Sequence, residues 1–422
     1  MDILVRKVGE ELFREGISEY LKKFAYSNAT WDDLVDILDN LTTEDLRSWS
    51  DVWIKEPGMP DYTAVAADGK IDITLSDPAG KGRRWEQPLQ YRLVGETPVP
   101  NVDGLGYGTF LLDSLQKKLI IDGFADYRDG NSSKLPLLSD DVTRLSLLIT
   151  LNENMLRGKI SLMDFVEILT EYLPNESNVL LFGRGVGYLV SAYTDLDSHT
   201  GLNGDVERSL WGVISGDTNP QKRTTAYRAY IRIAGSEEAS NRLWSVWSEP
   251  ASFAYVPLGE NDIVNLSYEL MLRKPGNYKE IVNLQRSRIT NPDRMKAFEF
   301  IFPALSPVES VRDSVFRSLA DTENRNVEPW VASSLSYLNH YTRRDSSLKY
   351  ISPALELLPE IQRTGDIFFP SDWLGALLGG HNSPQALDAV NNYLDSAKEL
   401  NPMLRSKVLQ KADHIFRAAG RR

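Results

Sequence analysis

The sequence predicts a multidomain, mainly α chain with one short β-rich segment between two helical ones. Three observations carry that expectation. Apolar residues recur at helical spacing over residues 1–55, the period drops to two over residues 61–134, and helical spacing returns from residue 135 to residue 422. The expected domains are therefore 1–60, 61–134 and 135–422, and a chain of 422 residues with 42% hydrophobic content has material for several packed cores.

In the first segment Val8, Leu12, Ile17, Tyr20, Leu21 and Phe24 predict one broad buried helix face. Thr30 followed by Asp33 predicts a capping box, in which the hydroxyl satisfies an orphan backbone donor and the acid faces the positive helix end. Leu34, Val35, Leu38 and Leu41 then face inward. A third helix is expected from Thr42 or Thr43, with Leu46, Trp49 and Trp53 on one side and a stop at Pro57-Gly58.

In the second segment Ile71, Ile73 and Leu75 alternate with Asp72 and Thr74, just after the hairpin signal Asp68-Gly69. Leu89, Tyr91 and Leu93 alternate in the same way, and a turn-rich stretch from Pro98 to Gly108 precedes an apolar strand expected at residues 119–121. Short strands at this spacing predict a small β-sandwich. The third segment carries helical faces such as Leu145, Leu148, Ile149 and Met155, or Leu162, Phe165, Val166 and Leu169. No fixed repeat period is present, so irregular helical hairpins stacked into a curved superhelix of HEAT or armadillo type are expected.

Composition excludes several function classes. A net charge of -12 with scattered basic residues argues against nucleic acid as a partner. The short runs Arg343-Arg344 and Arg421-Arg422 read as solvated surface. With no cysteine there is no disulfide, thiolate metal site or cysteine nucleophile. No apolar stretch is long enough to span a membrane, and residues 1–24 are too charged for a signal peptide, so a soluble chain is expected in either the cytoplasm or the periplasm.

Three segments carry a family resemblance in family order. They are GEELFREGISEYLKKFAYSNATWDDL at 9–34 with WIKEPGMP at 53–60, VPNVDGLGYGTFLLD at 99–113, and RLSLLITLNENMLRGKISLMDFVEILTEYLP at 144–174. The chain resembles the C-terminal half of the aminopeptidase N family of zinc peptidases, which also includes leukotriene hydrolase. The resemblance implies that residues 1–60 are the helical tail of a thermolysin-like peptidase domain, followed by the sandwich and the superhelix. Family members hold zinc with a His-Glu-x-x-His pair and a further Glu, and bind the substrate amino terminus with a Gly-x-Met-Glu-Asn strand. Neither motif occurs here. The resemblance thus places zinc and catalysis in a domain preceding residue 1, and this chain alone is expected to be inactive, with no catalytic or metal residue.

The remaining features have simpler readings. His199, His340, His381 and His414 stand more than thirty residues apart, without ligand spacing. Gly183, Gly185 and Gly187 suggest a phosphate loop but lack the final glycine of a dinucleotide fingerprint; helix packing or a helix start accounts for them. Asp32-Asp33 and Asp140-Asp141 stand where capping explains them, and Trp49, Trp53, Trp244 and Trp247 have the spacing of core packing. Arg294 and Lys296, in NPDRMKAF, resemble an Arg-x-Lys pair that holds a substrate carboxylate in leukotriene hydrolase and some relatives, a task suited to a guanidinium's planar donors. A first helical turn with solvated cations is the competing reading.

The function expected from the resemblance is an accessory region that gates and shapes peptide access to a catalytic site on the other half of an aminopeptidase. Its partners would be peptide substrates and that catalytic domain. Residues 1–55, deprived of the surface they pack on, would expose an apolar patch and self-associate or be partly disordered. Two alternatives stand beside it: a standalone helical-repeat module that binds a protein or peptide, and an unrelated hydrolase.

Overall fold

The computed structural model describes residues 1–131, 133–196, 202–397 and 399–421. Helix makes up 68% of the chain and strands are few, so it is mainly α. It divides into two compact units, Met1–Asn154 and Met155–Arg422.

In the first unit, helices Asp2–Val8, Glu10–Lys23 and Trp31–Asp39 gather Leu4, Val8, Leu34, Val35 and Leu38 into a small core with Leu46 and Trp49. Thr30 caps the third helix. Its hydroxyl accepts from the Asp33 amide at 3.3 Å while the Asp33 carboxylate accepts from the Thr30 amide at 2.8 Å, so two orphan donors are satisfied reciprocally. The face of Glu10–Lys23 differs from the expected stripe, because Leu21 is 63% exposed and the fully buried position is Gly16. A Cβ on Gly16 would stand 2.3 Å from Leu38 Cδ2. Close approach at that glycine turns Phe13, Ile17 and Tyr20 toward the core and leaves Leu21 on the flank. The next helix begins at Leu46 rather than near Thr42, capped by Asp45, and runs into a π-helical turn over Asp51–Lys55. Trp49 and Trp53 stack along it with centroids 5.7 Å apart.

Strands β1 (Asp61–Ala67) and β2 (Lys70–Ser76) form an antiparallel hairpin through Asp68-Gly69. Both turn residues have positive φ, 51° and 72°, the left-handed pair that a two-residue hairpin turn requires. Strands β3 (Tyr91–Val94) and β4 (Thr97–Pro100) pair antiparallel, and β5 (Thr109–Phe110) runs parallel to β1, giving sheets ordered β2-β1-β5 and β3-β4. Phe110 joins the two sheets: Tyr62 of β1 stacks on it at 5.4 Å, and Tyr91 of β3 meets it edge-on at 6.2 Å.

Residues 119–121, expected as a strand, lie instead in the helix Ser114–Arg128. Asp113 accepts from the Gln116 amide at 2.8 Å and Gln116 accepts from the Asp113 amide at 2.9 Å, a complete capping box. Gln116, Ile120, Gly123 and Phe124 then form its buried face at helical spacing. A start signal and a 3.6-residue period outweigh three adjacent apolar residues. Along the following helix, Asp141–Leu156, Asn154 donates to the Phe110 carbonyl at 2.8 Å and accepts from the Leu112 amide at 3.0 Å.

The second unit is built of helices from Leu162–Tyr172 to Pro402–Arg421. Val179–Asp195 packs on Leu162–Tyr172 and on Pro220–Ile233; further along, Phe369–Leu378 packs on Glu328–Leu338 and on Pro402–Arg421. Leu335, Leu355, Trp373, Leu377, Val408 and Ile415 centre the later core.

A helix leaves its last four carbonyls without intrahelical donors, and a left-handed glycine after the last turn often satisfies them. Among the described residues, no glycine beyond Gly158 has positive φ. Arginines from elsewhere supply the donors. Arg288 donates to the carbonyls of Trp247 and Ser248 at 2.7 and 2.8 Å, closing Glu237–Ser248. Arg343 donates to Ala304 and Leu305 at 3.0 and 2.8 Å, Arg325 to Leu319 and Ala320 at 2.7 and 2.9 Å, and Arg273 to Arg232 at 2.9 Å and to Ala234. Arg344 reaches the Thr194 carbonyl at 2.6 Å, 150 residues away in sequence. A guanidinium suits this task because its planar fork spans two successive carbonyls and its charge opposes the negative helix end.

Candidate functional site

Arg294 lies in the first turn of Pro292–Ile301, which Asn291 caps by accepting from the amides of Asp293 and Arg294 at 2.9 and 3.1 Å. Its Nη1 donates to Glu260 Oε2 at 2.7 Å. Glu260 opens the helix Glu260–Arg273, where a carboxylate faces the positive helix end. Lys296 points elsewhere. It is 68% exposed and its nearest acid, Asp293, is 3.5 Å away. Two residues apart on a helix, side chains leave roughly 200° apart, so the fold brings Arg294 onto Glu260 and directs Lys296 to solvent.

The loop after Glu328–Leu338 borders a recess of about 570 Å³, lined by Tyr193, Ile233, Tyr341, Arg343 and Arg344 among others. Arg343 and Arg344, expected as solvated surface, are half-buried here and hold the carbonyls described above. The physical reason is that their acceptors are helix ends 38 to 150 residues away. Arg344 also donates to Asn382 Oδ1 at 2.8 Å, and Asn382 in turn donates to the Asp195 carbonyl at 2.7 Å. Burial and the neighbouring Arg312 hold the Arg343 pKa down to about 10. Burial and the guanidiniums of Arg273, Arg343, Arg232 and Arg344 hold His340 down to about 3. His340 is therefore neutral at pH 7, and its Nδ1 accepts from the Thr342 amide at 3.3 Å. Glu269 pairs with Arg273 at 2.5 Å within the same cluster, and Tyr341 donates to the Arg232 carbonyl at 3.1 Å. This polar assembly ties helix ends together. The Thr342 hydroxyl also lies 2.8 Å from His340 Nδ1.

The other features of interest in the sequence find structural partners. His381 Nε2 is 3.0 Å from Asn339 Oδ1, His414 Nε2 is 3.1 Å from the Leu378 carbonyl, and His199 lies outside the described residues, as does Arg422. Asp140 caps the Thr143 amide at 2.8 Å, Asp141 pairs with Arg144 at 2.5 Å, and Asp32 pairs with Lys55 at 2.9 Å. Gly183, Gly185 and Gly187 all fall inside the helix Val179–Asp195. Trp244 and Trp247 meet edge-on at 5.3 Å. Among the described residues, no group of three or more His, Cys, Asp or Glu side chains stands where it could hold a metal ion, and no helix is long and apolar enough to cross a membrane.

No family model matches the sequence. Aminopeptidase N of Lactococcus lactis subsp. lactis (strain IL1403) is 28% identical over 220 residues, 47% of this chain and 26% of that protein. Aminopeptidase 2, mitochondrial, of Saccharomyces cerevisiae is 43% identical over 68 residues, 16% of this chain and 7% of that protein. The match spans about a quarter of the length of these Lactococcus relatives. A crystal structure of Legionella pneumophila aminopeptidase A in complex with aspartic acid aligns with 97% of this chain and 55% of that one, at 11% identity and a TM-score of 0.44, too low to argue from. By sequence similarity, this chain is related to aminopeptidase N and corresponds to a C-terminal part of such an M1-like aminopeptidase.

Proposed function

We propose that the chain acts as the non-catalytic C-terminal region of a zinc-dependent aminopeptidase, shaping and gating the access of peptides to a catalytic site on another domain. The observation that carries this reading is the similarity to aminopeptidase N over 220 residues, together with the lack of a His-Glu-x-x-His motif in the sequence. In this reading, residues 1–60 are the helical tail of a thermolysin-like peptidase domain. The segment 61–134, with its two sheets and the helix Ser114–Arg128, acts as a small sandwich spacer, and the helices from 135 to 422 form a curved superhelix that walls the peptide chamber. Zinc and its activated water belong to the catalytic domain.

Arg294 and Lys296 are the proposed contacts for a substrate carboxylate. Arg294 is held along one edge by Glu260, and a guanidinium has five donors, so its other edge can meet an incoming carboxylate. Lys296 adds attraction without fixed geometry. Exposed Leu21, Tyr26 and Ile54 within residues 1–55 support self-association when the catalytic domain is not there to cover them.

The test is metal content and turnover of the purified chain. Zinc by mass spectrometry and release of nitroaniline from leucine 4-nitroanilide are both expected at background. One zinc per chain with chelator-sensitive release would overturn the proposal. In an enzyme that includes the catalytic domain, R294A is expected to raise KM for tripeptides with a free carboxylate and to leave tripeptide amides unchanged; equal effects on both would remove Arg294 from the site.

A further inference from the structure

The helices Ile351–Glu356, Leu358–Thr364 and Pro384–Ser396, with the start of Pro402–Arg421, enclose a groove of about 930 Å³. Ala389, Leu400 and Leu404 give it an apolar lining, while Glu356 and Glu399 stand exposed in its wall. Among the described residues, no lysine or arginine pairs with either carboxylate.

A second observation points to a ligand. Tyr393 lines the same groove, is only 9% exposed, and its hydroxyl has no hydrogen-bond partner. Buried hydroxyls are nearly always paired, because an unpaired one forfeits its hydrogen bonds to water. The Tyr393 pKa is raised by burial first and then by the Glu356 charge, and both residues line the groove. An occupant that drew Glu356 inward over the groove would give the hydroxyl its missing acceptor.

An apolar floor flanked by two unpaired carboxylates fits an alkyl stem that ends in a cation, since lysine and arginine bury their methylenes while keeping the charge at a polar rim. The net charge of -12 favours approach of a basic partner. We propose that this groove docks a basic peptide segment, with one lysine or arginine side chain along Leu400 and Leu404 and its cation between Glu356 and Glu399. The proposal rests on the groove alone and stands apart from the aminopeptidase reading.

The test is fluorescence anisotropy on the full chain with a fluorescein-labelled peptide of alternating lysine and alanine, beside its counterpart with glutamate for lysine. The lysine peptide is expected to bind and the glutamate peptide not to. The double variant E356Q/E399Q should weaken binding about tenfold or more, and Y393F by a few-fold. The double variant E15Q/E19Q makes the same charge change on an exposed helix face of the first unit and should alter binding less than about twofold. Equal weakening by the two double variants would show attraction to net charge alone and overturn the site. So would failure of the lysine peptide to bind while spermine does, or failure of both. All four glutamates are exposed, so the variants are expected to keep the circular dichroism of the parent chain.

Discussion

Replacing Arg288 with methionine removes one of the cross-helix arginine clamps while keeping the aliphatic stem. Two charge-assisted hydrogen bonds are lost, to the carbonyls of Trp247 and Ser248 at 2.7 and 2.8 Å. The guanidinium also sits 5.0 Å over the ring of the buried Trp247. Bonds to charged groups contribute about 1.5–3 kcal/mol each, and these carbonyls are only partly buried, so water recovers some of the loss. The low end applies, roughly 3 kcal/mol for the pair, with about 0.5–1 kcal/mol more from the cation–π contact. For a unit of this size each kcal/mol moves the thermal midpoint by about 2–4 °C, so R288M should melt roughly 7–16 °C below the parent chain. Calorimetry measures the shift, and hydrogen exchange should speed up in the last turn of Glu237–Ser248 before the rest of the second unit. R288K keeps the charge but presents a point donor in place of a fork, so about half the loss is expected. A midpoint for R288M within 2 °C of the parent would refute the reasoning, as would uniform exchange.

Three further outcomes are expected. G380A should lose about 3 kcal/mol or more in a urea titration, since a Cβ there would lie 1.9 Å from the Asn339 carbonyl oxygen and backbone must shift; a loss under 1 kcal/mol would show that the turn yields. T30A should lose about 1 kcal/mol through its cap, read as earlier exchange in Trp31–Asp39, and unchanged exchange there would contradict the cap. Stability should be flat above pH 7 and fall between about pH 6.5 and 4. Burial and the nearby Arg344 lower His381 from 6.5 to about 4, so the unfolded chain binds the proton first as pH drops, at a cost on the order of 2 kcal/mol by pH 5. H381Q should remove about half of that fall in urea midpoints between pH 8 and 5, because His340, held down to about 3, contributes a similar share, and an equally steep fall would assign it to other groups.

Local chemistry was legible in the sequence wherever the partners are neighbours. Thr30 with Asp33, and Asp68 with Gly69, act within three residues, so the residue types alone specify the cap and the turn. Residues 119–121, expected as a strand, are helical because the capping box of Asp113 and Gln116 starts a helix just upstream, a signal that is itself local. For the candidate site, the sequence located Arg294 at a helix start but could not supply Glu260, 34 residues earlier.

Sequence alone determined the mainly α class, the β segment at the hairpin and the kinship with aminopeptidase N, because periodicity, turn residues and shared segments are properties of short stretches of chain. Only the tertiary structure decided that Gly16 rather than Leu21 meets the core, that Arg343 and Arg344 are clamps rather than surface, and that Tyr393 faces a groove with two unpaired carboxylates. In each of these the deciding partner lies distant in the chain. Which carbonyl an arginine reaches, or which methyl group a glycine admits, is set by how helices pack, and no local spacing encodes that distance.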